Sequence, residues 1–191
     1  MTCIVGLKDK KTGKVYLGGD SATTKGAQRM IRAEPKVYKR GEILFGGAGD
    51  SVVNQVLSHI ASDPSVVENQ DPLGYILNEF IPSFKSFLRQ TNHLQIKDEV
   101  ATIPNEFLVA FRGELFSIGS HFDVFTSLDN YMAIGSGEEY ALGSLYSTES
   151  SDLKPEERIF IALRAASKHD SYVGGPLQVI DEDGNEWNKD D

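Results

Sequence analysis

Apolar runs separated by polar stretches set the pattern from the start of the chain. Residues 2–8 and 14–19 are rich in β-branched and aliphatic residues and flank the polar stretch Asp9-Lys10-Lys11-Thr12-Gly13, a pattern that predicts a β-hairpin. Residues 21–33 are small and polar and predict a loop beside the N-terminus. Residues 35–39 and 43–45 predict a second hairpin around Arg40-Gly41-Glu42. Gly46-Gly47-Ala48-Gly49 then reads as a strand-to-helix turn, with Asp50 and Ser51 as suitable N-caps. The following helix should bury Val53, Val56, Leu57 and Ile60. A second helical stripe carries Leu73, Leu77, Phe80, Ile81, Phe84, Phe87 and Leu88, with Pro82 inside it to kink or divide the helix.

Residues 91–104 show no period and predict a loop. Short strands are expected at 107–111, 115–118, 124–125 and 131–134, and a helix from Gly137 onward. Another helix starts at Pro155, with Glu156 and Glu157 in its first turn and Ile159, Leu163 and Ala166 on its buried face. Residues 177–180 predict a closing strand. The domain is expected to span 1–180, with 181–191 as an acidic, frayed tail. The order of strands, two helices, strands, two helices and strand predicts an α+β fold of layered antiparallel sheets.

Composition narrows the function. A hydrophobic fraction of 40% and a charged fraction of 25% describe an ordinary globular chain, and 191 residues bury a full core without staples. The net charge of −9 argues against nucleic acid and anionic membrane partners. One cysteine excludes an internal disulfide and fits a reducing compartment. With no apolar stretch of membrane length and no secretory leader pattern, a cytoplasmic location is expected. The four histidines show no metal-ligand spacing, so neither a metal nor another cofactor is expected.

The candidate chemistry begins at residue 2. Removal of Met1 leaves Thr2 with a free α-amine and a hydroxyl on one residue. Such an amine titrates at about 7.7–8.0 and accepts a proton at neutral pH, so nucleophile and base coincide. A chain that keeps Met1 has only an amide nitrogen there and is inactive. Taken singly, Asp20 after two glycines reads as a turn residue and Lys36 as a solvated lysine.

Taken together, Thr2-x-Ile4-Val5-Gly6, Gly19-Asp20-Ser21, Lys36-Val37, Gly47-Ala48-Gly49 and Ala133-Ile134-Gly135-Ser136-Gly137 resemble the proteasome β-subunits. The chain is most similar to the HslV-type peptidase subunit, in register over nearly its whole length. The resemblance implies a four-layer αββα sandwich, the N-terminal nucleophile (Ntn) hydrolase fold, and a threonine endopeptidase inside a homo-oligomeric ring, a dodecamer or tetradecamer. It also implies unfolded polypeptide as substrate and an ATPase unfoldase as partner. By motif position Thr2 is the nucleophile, Asp20 the acidic partner, Lys36 the catalytic lysine and Ser136 the serine beside the amine. Asp170 matches the aspartate after the last helix. The amides around Gly47-Ala48-Gly49 would bind the oxyanion, Gly49 foremost, and Thr23 and Thr24 would border the substrate cleft with Gly47. Cys3 stands where the family has a second threonine, and Val173 where it has a small hydroxyl residue. Two alternatives stay open: an inactive ring subunit of the same fold, and an amidohydrolase of small amides.

Overall fold

A computed structural model describes residues 2–26, 28–59 and 70–190. The first hairpin pairs β1 (Ile4–Lys8) with β2 (Val15–Gly19), Ile4 opposite Gly19 and Lys8 opposite Val15. The segment expected to be a loop instead forms a short hairpin, β3 (Ala22–Lys25) with β4 (Gln28–Ile31). Its residues are largely exposed, polar ones mixed with Ala22, Met30 and Ile31, so no apolar alternation announces it.

The next hairpin is β5 (Val37–Arg40) with β6 (Ile43–Gly49). Gly46 to Gly49 thus belong to a strand, not to a turn. The helix α1 (Ser51–Ser58) begins after it, and Asp50 caps it by accepting the Val52 amide at 2.8 Å. Val53 and Leu57 are buried on α1 as expected, while the expected Ile60 lies outside the described residues.

The second helical stripe is broken in two. A short α2 (Pro72–Tyr75) runs into a π-helical turn, Ile76–Phe80, and then into α3 (Ile81–Gln90). Pro82 has no N–H to donate back into the preceding turn, and the wider turn stands just before it. The extra residue rotates the face, so the expected Leu73 and Leu77 are 41% and 46% exposed while Tyr75 and Ile76 are buried.

Residues 91–104, expected to be a loop, contain the small hairpin β7 (Gln95–Lys97) with β8 (Val100–Thr102). There follow β9 (Asn105–Phe111), β10 (Glu114–Ile118), β11 (Val124–Phe125) and β12 (Tyr131–Ile134), then the helices α4 (Glu138–Ser147) and α5 (Pro155–His169). The chain finishes with β13 (Leu177–Asp181) and β14 (Glu186–Lys189).

That last strand corrects the expectation of a frayed tail. Asp181 is buried and accepts hydrogen bonds from the Asp183 amide (3.0 Å), the Asn185 amide (2.9 Å) and Asn185 Nδ2 (2.9 Å). Lys14 Nζ lies 3.3 Å from its other side. These bonds close the turn and return β14 to β13, with Val179 opposite Trp187.

Two five-stranded antiparallel sheets result, ordered β12-β1-β2-β13-β14 and β11-β10-β9-β6-β5. Strand alternation divides their side chains among three cores. On β9, Phe107, Val109 and Phe111 join Val53, Leu57, Phe80 and Phe84 of the first helices. Leu108 and Ala110, between them, meet Ile4, Leu17 and Ile180 of the first sheet. On β1, Val5 and Leu7 point the other way, to Ala141, Leu145, Ile159 and Leu163 of α4 and α5. Each fully buried Leu or Phe contributes about 1.5–3 kcal/mol, so these faces hold the sheets in place. The close approach of α5 depends on Gly18, where a Cβ would lie 2.3 Å from Ile159 Cγ2.

Candidate active site

The first sheet brings the chain start against the ends of β2 and β12. Thr2 is buried, and its carbonyl accepts from Ser136 Oγ at 3.4 Å and the Gly137 amide at 3.5 Å. Ser136 therefore sits beside residue 2, where β12 turns into α4. Gly135 makes that turn possible. Its φ of +94° suits glycine, and a Cβ there would stand 2.2 Å from the Thr2 carbonyl oxygen.

Asp20 follows β2 and is almost wholly buried. Its Oδ1 accepts the Cys3 amide at 3.0 Å and Lys36 Nζ at 2.8 Å. Its Oδ2 accepts the amides of Ala22 and Gly174, each at 3.1 Å. Both of its oxygens are therefore occupied by donors, three backbone amides and one ammonium. Lys36 does not titrate at its free value. Burial pushes its ammonium below the ordinary lysine range, Asp20 opposes that shift, and Arg32 adds to it. Cys3, one residue from Thr2, is a buried thiol whose pKa is driven up by burial and then by the charge of Asp20. It is a packing residue.

The other expected residues divide. Thr2, Ala48, Gly49, Gly135 and Ser136 border one cavity of about 530 Å³, which Asn105, Glu106 and Ser120 also line. Gly47 and Lys36 border a second cavity of about 610 Å³. Pairing between β5 and β6 stops at Gly46, whereas β9 continues opposite Gly47, Ala48 and Gly49. Among the described residues no strand therefore covers the other edge of 47–49. Gly49 itself is constrained: its φ is +119°, and a Cβ would lie 2.2 Å from the Pro104 carbonyl oxygen.

Asp170 ends α5. Its Oδ1 accepts the Tyr172 amide at 2.9 Å, and its Oδ2 is buried without a hydrogen-bond partner among the described residues. Its charge reaches far enough to raise the Cys3 thiol. Thr23 and Thr24 lie on β3, half-buried, opposite Met30 and Arg29, and border neither cavity. Asn105 escaped the sequence reading. Its amide donates to the Asp50 carbonyl (3.0 Å) and to Asn54 Oδ1 (3.2 Å), and Asn54 Nδ2 donates to the Gly47 carbonyl (3.3 Å). This chain fixes the glycine segment, but an asparagine after a proline carries no sequence signal for that task. Among the described residues no group of three His, Cys, Asp or Glu side chains is placed to hold a metal.

No protein-family model matches the sequence. Solved structures do match. BPH from Thiobacillus denitrificans, in complex with epoxomicin, superposes with a TM-score of 0.79 at 18% identity, over 94% of this chain and 97% of that one. HslV from Trypanosoma brucei gives 0.67 at 19% identity, over 94% and 98%. The chain has the proteasome-like Ntn-hydrolase fold. A Gly-1 mutant of Anbu from Hyphomicrobium sp. strain MC1 shares that fold at 0.64 and 14% identity, over 100% of this chain and 86% of the other. In the proteasome-like fold found here, the five sequence motifs lie on β1, at the end of β2, at the start of β5, at the end of β6 and at the end of β12. No helix among the described residues is long and apolar enough to cross a membrane.

Proposed function

We propose that the chain is a threonine-type endopeptidase once Met1 is removed. The observation that carries this reading is the convergence of Lys36 Nζ and the Cys3 amide on one oxygen, Asp20 Oδ1. A positive charge is thereby fixed beside the strand terminus that bears Thr2. That charge favours a deprotonated amine and a developing alkoxide.

In this reading the Thr2 amine takes the proton of its own hydroxyl as the oxygen attacks the scissile carbonyl. The tetrahedral oxyanion is met by amides of the open edge of β6, Gly49 first, with Gly47 beside the substrate. Such a donor contributes about 2.7–4 kcal/mol in comparable sites. The amine returns the proton to the leaving nitrogen, the C–N bond breaks, and an ester remains on the Thr2 oxygen. Water, activated by the same amine, hydrolyses it. Ser136 orients the terminus, and the unpartnered oxygen of Asp170 is an acceptor for the donors that a new N-terminus adds. Thr23 and Thr24 contribute main-chain pairing to an extended substrate.

The three cores support a four-layer αββα sandwich. The proteasome-like fold favours a homo-oligomeric ring, a dodecamer or tetradecamer, in the cytoplasm. An ATPase unfoldase would deliver unfolded polypeptide to its interior.

Intact-mass spectrometry of native protein tests the premise, with loss of one methionine expected. An epoxyketone such as epoxomicin, found in complex with the Thiobacillus denitrificans protein, should then add once per chain at Thr2, because it bonds both the amine and the hydroxyl. Thr2→Ala should abolish labelling and peptide hydrolysis while the oligomer persists. Retained hydrolysis in that variant refutes the assignment.

A further inference from the structure

The two cavities flank the end of β6. Ala48 and Gly49 border the one containing Thr2, and Gly47 borders the one containing Lys36. A single peptide unit, Gly47–Ala48, separates them. A polypeptide held across Thr2 therefore has a side-chain recess directly on the Lys36 side, of about 610 Å³, within the size range of specific ligand pockets.

The charges around this recess are unequal. Arg32, Lys36 and Lys39 border it, against one carboxylate, Glu34, and Tyr38 and His59 complete the titratable set. Glu34 is exposed on the rim, where water and salt screen it. Lys39 Nζ donates to the Glu182 carbonyl oxygen, a neutral acceptor. Asp20, the counter-charge of Lys36, is already saturated by three backbone amides. Among the described residues no carboxylate forms an ion pair with Arg32. Its guanidinium instead acts on Lys36, another cation. The recess thus holds a half-buried arginine beside a buried ammonium, with its one carboxylate out on the exposed rim.

We propose that this recess selects a carboxylate side chain, so that the enzyme cleaves beside Asp or Glu, with Arg32 as the specificity-determining residue. The inference rests on the Thr2 peptidase reading for its link to cleavage, but the recess itself binds independently of chemistry. Arginine recognises a carboxylate through paired N–H donors, which an amide or an alkyl group cannot match.

The test uses peptide pairs that differ only in Glu or Gln next to a common cleavage site. With wild-type protein, mass spectrometry of the products reads the residues on both sides of each cut. Enrichment of Asp and Glu at one flanking position is expected, about tenfold for Glu over Gln at low ionic strength and less at high salt. Arg32→Gln should remove the preference and Arg32→Glu should reverse it toward Lys. In parallel, the same peptides are bound to the Thr2→Ala variant and followed by fluorescence polarisation. A Glu-over-Gln ratio that collapses with Arg32→Gln supports the recess even if wild-type protein cleaves nothing, an outcome that sinks only the peptidase reading. Equal affinities, no binding of either peptide, or a preference untouched by Arg32→Gln overturn the inference.

Discussion

Lys36 and Asp20 meet at 2.8 Å with both side chains out of solvent, 3% and 0% exposed. They come from different sheets, Asp20 from the end of β2 and Lys36 from the start of β5. The pair therefore ties the two sheets together at the place where residue 2 emerges.

Substitution of Asp20 is expected to be costly in both stability and activity. Asp20→Ala strands a buried ammonium and three amides, and breaking such a pair by removing one partner costs about 3–5 kcal/mol. Lys36→Met leaves the carboxylate with its three amide donors and should cost less. Urea unfolding of both variants checks the order; equal losses would show that the amides contribute nothing.

The lysine also predicts a pH dependence. Its pKa is lower in the folded than in the unfolded chain, so between those two values the unfolded state binds more protons. Folding stability should therefore rise as pH increases toward the free lysine value of about 10.4. The stability difference between wild type and Lys36→Met, measured in urea from neutral to alkaline pH, should shift in favour of the wild type. A flat difference would place the ammonium in a water-like environment.

Gly135→Ala should displace Thr2. A methyl 2.2 Å from the Thr2 carbonyl oxygen forces the terminus to move, and the positive φ adds strain for any L-residue. Epoxyketone labelling of Thr2 should fall by an order of magnitude or more (about 1.4 kcal/mol per tenfold) while circular dichroism stays native. Unchanged labelling would mean that the terminus is not positioned through Gly135.

Cys3 should be silent toward thiol reagents in the native protein, because both its burial and its raised pKa disfavour the thiolate. Ellman's reagent is expected to react only as the chain unfolds, so that labelling reports opening of β1. Rapid labelling without denaturant would contradict the packing described here.

Much of this was legible in the residues, for reasons that also explain the misses. β1, β2, β9 and α5 carry apolar residues at strand or helix period because each is packed on one or both faces. β3 and β4 show no such signal, since their residues are mostly exposed and the hairpin is held by backbone pairing and by the Ala22 amide against Gly174. Leu73 and Leu77 fall on the exposed face because the π-helical turn adds a residue that no periodicity count includes. In the tail, Asp181 resembles a surface acid until Lys14 and Asn185 are seen around it. At the site, Ser136 Oγ donates to the Thr2 carbonyl, and Asp20 takes Lys36 and the Cys3 amide, contacts between residues far apart in the chain that no single motif announces. Thr23 and Thr24 border neither cavity, and Asn105 was invisible because its role lies in a network formed only by folding.

The partition at Gly47–Ala48 has a practical consequence. The surroundings of Thr2 are carried by β1, β12 and the end of β6, whereas Arg32 and Glu34 belong to the connection leading into β5. If the proposed peptidase reading holds, selectivity can drift, or be randomised in a library, along a few residues that leave Thr2 where it is.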